Sequence, residues 1–242
     1  MSAFDQHVFG VCLVNDWSAR DLQAWEYVPL GPFLGKSFLT SISPWIVPWQ
    51  RWRRLGCRRR CVSPSPPYLR DGDPWALDIT LEVFVNGTLV SRPPFAGMYW
   101  TGAQQLAHLT VNGANVRTGD LYASGAISGP NRNERGSLIE LSWNGTDPVE
   151  LSDGSSRTFL EDGDEVTITA TAPGPGGARI GFGRSSAGST RRCQLTPDSA
   201  ELGVVVAPPA VVLGWSPAPA TPSLEGRHAD SRGGHGESLV RR

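Results

Sequence analysis

The chain reads as mainly β, of the α+β kind: a compact mixed β-roll or sandwich with few short helices. Three observations predict it. Twenty-eight glycines and 20 prolines against 9% aromatic residues, in 242 positions, call for many tight turns. Residues 76–85 set Leu77, Ile79, Leu81, Val83 and Val85 against Asp78, Thr80, Glu82 and Phe84 with period two, and Asn86-Gly87 then supplies the positive-φ positions of a hairpin. Only residues 98–109 carry helical spacing over several turns, with Tyr99, Leu106 and Leu109 at mixed three and four intervals.

The remaining elements follow in order. Val8, Val11, Leu13 and Val14 around Gly10 and Cys12 form an apolar run suited to a buried strand, which delivers Asp16 at its end. Residues 17–25 suit one or two helical turns with Ser18 as cap, and Pro29, Gly31 and Pro32 then force a loop before Gly35 and Lys36. Residues 121–127, 137–143, 158–160, 165–171 and 179–182 are short strand candidates separated by Gly and Asp turns.

Two segments break this pattern. Residues 50–61, QRWRRLGCRRRC, hold six arginines, and residues 186–242 hold six prolines and one aromatic residue, Trp215. Neither composition builds a core readily. The expected organisation is one domain over residues 1–185, with an irregular Arg-rich loop at 50–65, and a disordered tail over 186–242.

Composition also excludes partners. A formal charge of −1 gives no global attraction to nucleic acid or to an anionic membrane surface. Trp49, Trp52 and the neighbouring arginines form a basic patch, but a short basic loop in a neutral protein is usually only solvated. The apolar run 202–215 is too short for a membrane helix and is broken by Pro208 and Pro209. Cys12, Cys57, Cys61 and Cys193 show no repeated spacing, and the start Met-Ser-Ala-Phe-Asp has no secretory character. A reducing, cytoplasmic setting is therefore expected, with no nucleic acid or membrane partner.

Asp16 is the carboxylate that the residues single out by themselves. It follows a buried strand and precedes a Gly/Pro-rich loop holding Lys36 and Thr40. Carboxylate and hydroxyl oxygens suit Mg²⁺ or Ca²⁺, although an aspartate at a strand end also serves as a turn or cap residue. Lys36 is the only lysine in the chain, against 21 arginines. Other short matches are bland: Cys57-x3-Cys61 lacks a second pair at zinc spacing, and Asp162-Gly163-Asp164 is most simply a turn.

The run Asn15-Asp16-Trp17-Ser18-Ala19-Arg20-Asp21, continued by Gln23 and by WEYVPLGPFLGKSF over residues 25–38, resembles the signature of the fumarylacetoacetate hydrolase family. The resemblance continues at Met98-Tyr99-Trp100-Thr101, Gly119-Asp120-Leu121, Ser124-Gly125-Ala126-Ile127-Ser128-Gly129-Pro130, Glu140-Leu141-Ser142-Trp143 and Arg179-Ile180-Gly181-Phe182-Gly183. It covers most of residues 7–185.

The resemblance implies metal-dependent hydrolysis of the C–C bond of 4-fumarylacetoacetate to fumarate and acetoacetate, the last step of tyrosine and phenylalanine breakdown, by a homodimer using Mg²⁺ or Ca²⁺. By position, Asp16 matches a metal carboxylate, and Lys36 and Thr40 match its neighbourhood. Arg20, Gln23 and Lys36 match groups that stabilise the oxyanion or departing enolate, Tyr27 a phenol that binds a substrate carboxylate, and Glu140 the acid that orients a histidine base. The reaction calls for such groups: an activated water, donors for an oxyanion and a cation for the enolate.

Departures accompany the matches. Family members carry, upstream of the position matching Met1, an aspartate, the histidine base and a Glu-x-Glu pair, so the fold is expected to be incomplete on its N-terminal side. None of His7, His108, His228 and His235 takes the histidine's place. Ala126 stands where the family has a substrate-contacting threonine. Loss of resemblance in the Arg-rich segment and tail suggests alternative exons or shifted reading frames. An alternative to the hydrolase is thus a non-catalytic fragment that keeps part of the fold and its dimer contacts.

Overall fold

The computed structural model describes residues 4–51, 56–58, 65–70, 75–188, 204–205 and 209–215. A short helix α1 (Phe4–His7) leads into β1 (Val8–Asp16), β2 (Ser18–Ala19), α2 (Arg20–Glu26), α3 (Leu34–Ser37), β3 (Thr40–Ile42) and β4 (Val47–Pro48). β1 is buried from Gly10 to Asn15, because its two faces serve different packings: Val11 and Leu13 join the main core, and Cys12 and Val14 form a separate small cluster. Trp49, part of the basic patch in the sequence, is buried against Phe4 and Trp75 with ring centroids 5.1 and 4.9 Å away.

β5 (Gly56–Arg58) pairs antiparallel with β6 (Trp75–Leu77). β7 (Thr80–Val85) and β8 (Thr88–Ser91) form the predicted hairpin, with Asn86 and Gly87 at φ 48° and 78°. Leu81, Val83 and Val85 are buried and Thr80, Glu82 and Phe84 face outward, as the alternation requires. The predicted helix is α4 (Gly102–Thr110); it starts after Met98 because Thr101 and Gln104 form a reciprocal capping box.

β9 (Leu121–Ala123) is shorter than the predicted strand, and residues 137–143 are not a strand. They hold instead α5 (Leu138–Leu141), with Leu138 and Leu141 buried three residues apart on one side. β10 (Val149–Glu150) and β11 (Ser156–Arg157) make a small ladder, and residues 158–160 lie outside any strand. β12 (Glu165–Pro173) and β13 (Arg179–Gly188) complete a four-stranded antiparallel sheet in the order β13-β12-β7-β8.

Parts of the Arg-rich stretch and of the tail pair as strands. In the Arg-rich stretch, β5 forms a ladder, and in the tail β14 (Val204–Val205) pairs with β2 while β15 (Pro209–Trp215) pairs with β1 and β9. The segment PAVVLGW is apolar and β-branched, and β1 offers it an open ladder edge. Residues 50–51 and 65 of the first stretch are also described, and residues 186–188 of the second are the end of β13; the remainder lies outside the described residues. The second sheet therefore has the order β3-β1-β15-β9, with β4 also on β1.

The main core lies between the two sheets: Val11 and Leu13 on one side, Leu81, Val83, Val166, Ile168 and Phe182 on the other. Truncating Leu13, Leu81 or Ile168 to Ala costs about 2–5 kcal/mol. The chain is mostly antiparallel strand with few short helices, as predicted. No helix among the described residues is long and apolar enough to cross a membrane.

Candidate functional site

The site starts where β1 leaves the core. Asp16 is the last residue of β1 and lies directly opposite Thr40 of β3, so the two side chains share a face. Trp17 turns inward, is buried, and donates its Nε1–H to Ser41 Oγ at 2.8 Å, which locks the strand end to β3. Ser18 belongs to β2 and caps no helix; the helix begins at Arg20.

α2 brings two predicted residues onto one face. Arg20 Nη1 donates to Gln23 Oε1 at 2.7 Å, an i, i+3 pair. Tyr27 is the C-cap residue of the same helix, half exposed, one turn beyond Gln23, and its N–H donates to the Gln23 carbonyl at 3.0 Å. Burial is the main influence on the Arg20 guanidinium and lowers its pKa, while the Asp16 carboxylate and then Glu140 oppose that effect. Arg20 thus sits in the field of both acids, and its Nε is buried with no hydrogen-bond partner among the described residues.

Lys36 arrives from the other direction. Its Nζ donates to Asp16 Oδ2 at 2.7 Å. It lies in α3, where a loop was expected, because Phe33 and Lys36 close one helical turn at 3.1 Å. Gly35 is buried against the start of α2: a Cβ there would lie 2.9 Å from Gln23 N and 3.0 Å from Ala19 O.

Glu140 lies on α5. Its Oε2 accepts from Ser128 Oγ at 2.7 Å and Ser137 Oγ at 3.1 Å, and Arg135 Nη1 donates to its carbonyl oxygen at 2.9 Å. His108 is elsewhere: its ring stacks on Tyr68, with Nδ1 3.1 Å from the phenol oxygen. Ala126 is exposed. His228 and His235 lie outside the described residues.

Asp16, Arg20, Gln23, Lys36 and Thr40 are therefore gathered by one strand end, one ladder and two short helices, with Glu140 close enough to act on Arg20. Sequence reasoning passed over Glu26. Its Oε1 accepts the N–H groups of Phe33 and Gly35, both at 2.7 Å, and Oε2 that of Leu34 at 3.0 Å. Partial burial works against its charge, but the N–H groups of Gly35, Phe33 and Leu34 together outweigh it and hold the pKa below the ordinary glutamate range. No spacing rule links residues 26 and 33–35, so no sequence signal marked it. Ser128, Ser137 and Arg135 were likewise unmarked.

Chemically, the arrangement offers two cations, Arg20 and Lys36, beside one carboxylate. That suits binding of an anionic oxygen. It does not suit a hard divalent cation. Among the described residues no group of three or more His, Cys, Asp or Glu side chains could hold a metal ion, and the one strand-end carboxylate is already neutralised by an ammonium. One carboxylate and one hydroxyl fall short of the six or so oxygens that Mg²⁺ or Ca²⁺ takes.

The family model described as "Fumarylacetoacetate (FAA) hydrolase C-terminal" matches residues 2–185. Among curated proteins, the fumarylacetoacetase of Homo sapiens is 50% identical over 191 residues, covering 76% of this chain and 45% of its own length. That of Arabidopsis thaliana is 50% identical over 184 residues, 73% of this chain and 43% of the relative. That of Dictyostelium discoideum is 44% identical over 186 residues, again 73% and 43%. The chain thus spans less than half the length of the curated relatives it matches.

Proposed function

The chain belongs to the fumarylacetoacetate hydrolase family, and on that premise we propose that its residues serve the hydrolysis of the C–C bond of 4-fumarylacetoacetate to fumarate and acetoacetate, in tyrosine and phenylalanine catabolism. The observation that supports this best is the 2.7 Å pair of Lys36 and Asp16 with the partly buried Arg20 beside it. Carbon–carbon cleavage between two carbonyls develops negative charge twice, first on a tetrahedral oxygen and then on the departing enolate. Preorganised cations lower the cost of both. In this reading Arg20 and Lys36 donate to those oxygens, Gln23 orients the Arg20 fork, Tyr27 donates its phenol to a substrate carboxylate, and Glu140 orients the group that takes the proton from water.

A divalent ion, Mg²⁺ or Ca²⁺, is proposed at Asp16 and Thr40 only in a chain that adds carboxylates to them. The proposed assembly is a homodimer in the cytoplasm. Its support is the run of exposed apolar residues that includes Trp25, Leu30 and Leu34, and the cysteine spacing.

A second reading, that the polypeptide 1–242 is a non-catalytic piece, is favoured by the single carboxylate at the strand end. Weak cation binding, around 10⁻³ M or poorer, follows from so few ligands, and with Glu140 bonded to Ser128 and Ser137 and to no histidine among the described residues, a further factor of about 10² to 10⁴ in rate is lost. The two readings are separated by assaying fumarylacetoacetate loss with purified 1–242 and with a chimera that joins the preceding segment of the Homo sapiens relative to it. Turnover by the chimera alone, lowered about 10²- to 10³-fold by Lys36→Met, is expected. An inactive, folded chimera would overturn the hydrolase reading; robust turnover by 1–242 would overturn the second.

A further inference from the structure

Lys36 reaches Asp16 only because the segment before it is held in place, and helix propensity does not do the holding. A four-residue helix makes too few internal hydrogen bonds to define its own position. Phe33 and Leu34 are exposed. What fastens the segment is Glu26, whose two oxygens take the main-chain N–H groups of Phe33, Leu34 and Gly35 at 2.7, 3.0 and 2.7 Å. Those N–H groups open α3, where no intrahelical acceptor exists for them. Gly35 then lies flat against Ala19 and Gln23.

Glu26 is also the last residue of α2, the helix whose first turns carry Arg20 and Gln23. One side chain therefore ties the Arg20 element to the Lys36 element, and a fixed distance between these two cations depends on it. We propose that Glu26 is a positioning residue that fixes the Lys36 ammonium against Asp16; its importance for hydrolysis rests on the function proposed above, and its positioning role does not.

Lys36 is the only lysine of the chain, so acetylation by an amine-reactive ester, followed by mass spectrometry of the peptide containing it, reads this one contact in the full polypeptide. Freeing the ammonium from an exposed pair is expected to speed acetylation roughly two- to five-fold. Glu26→Ala removes all three acceptors and should give the whole increase. Glu26→Gln keeps one carbonyl oxygen for Phe33 and Gly35 and should fall between Glu26→Ala and the parent chain, while Asp16→Asn alone should match Glu26→Ala. In an Asp16→Asn background, Glu26→Ala should add nothing further, whereas general loosening of the fold would accelerate labelling in both backgrounds alike. If Glu26→Ala does not fold, the Glu26→Gln variant carries the same comparison. Parent-like labelling of the folded Glu26 variants, or equal acceleration with and without Asp16, would overturn the proposal. Since turnover is not the readout, an inactive protein would leave this result standing and count only against the hydrolase reading.

Discussion

The Lys36 ammonium lies 2.7 Å from the Asp16 carboxylate across 20 residues of chain, with side chains 27% and 42% exposed. At that exposure solvent screens the attraction, and such pairs contribute about 0.2–1 kcal/mol to folding. A contact this weak contributes little to folding, although it is assembled from a strand end and a short helix.

Lys36→Met and Asp16→Asn should therefore each shift folding stability by less than about 1 kcal/mol, measured as the urea midpoint of 1–242. In the chimera Lys36→Met should lower turnover by about 10²- to 10³-fold, the scale of removing one oxyanion donor. A loss of several kcal/mol in the urea experiment would mean that the pair is a structural staple.

Gly35→Ala should behave in the opposite way. The added Cβ meets the Gln23 nitrogen at 2.9 Å and the Ala19 oxygen at 3.0 Å, and main-chain atoms cannot rotate aside. Overpacking of this kind costs about 1–3 kcal/mol. The variant should also acetylate Lys36 faster, because α3 has to lift from α2. An unchanged urea midpoint would show that the two helices separate freely.

Asp164 should make the fold acid-sensitive. It is buried, and although that burial raises its pKa, the Arg157 fork, the Glu161 N–H and the Asn86 amide lower it, for a net value below the ordinary carboxylate range. A carboxylate whose pKa is depressed by folding contributes fully above its unfolded value and loses that contribution as pH falls through the folded one. Stability should thus fall from about pH 4 downward, with a shallower slope in Asp164→Asn. At neutral pH that variant, which leaves Arg157 with Glu161 at 3.5 Å as its nearest ionic partner, should cost about 1–3 kcal/mol. Parallel melting curves against pH for the two proteins would refute this assignment.

Cys12 should be chemically silent while the fold is intact. It is buried in β1, and burial pushes its thiol up to about 11. Since the thiolate is the nucleophile, iodoacetamide at pH 8 should leave the Cys12 peptide unmodified in buffer and alkylate it in denaturant. Modification at equal rates in both conditions would place Cys12 outside the core.

What was legible in the sequence was local. The β7–β8 hairpin could be read from five alternating apolar residues and Asn86-Gly87, because side-chain alternation and positive φ are properties of neighbouring residues. Residues 137–143 misled for the same reason: a short, mostly apolar run suits a strand, whereas Leu138 and Leu141, three apart, reach the same core only in a helical turn. The strand Pro209–Trp215 was hidden by its Pro-rich surroundings, since its stabilisation comes from β1 and β9 rather than from its own composition.

The same division holds at the site. The sequence by itself determined which chemical groups are available, Asp16, Arg20, Gln23, Tyr27, Lys36, Thr40 and Glu140, because their types and order are carried by the chain and by its likeness to a family. Only the tertiary structure decided that Asp16 faces Thr40, that Lys36 turns back onto Asp16, that Ser128 and Ser137 hold Glu140, and that Glu26 clamps the turn at 33–35. Each of those relations closes a loop between residues distant in sequence. The free energy that closes it comes from burial of Trp17 and Gly35 and from satisfying main-chain donors, which no periodicity records.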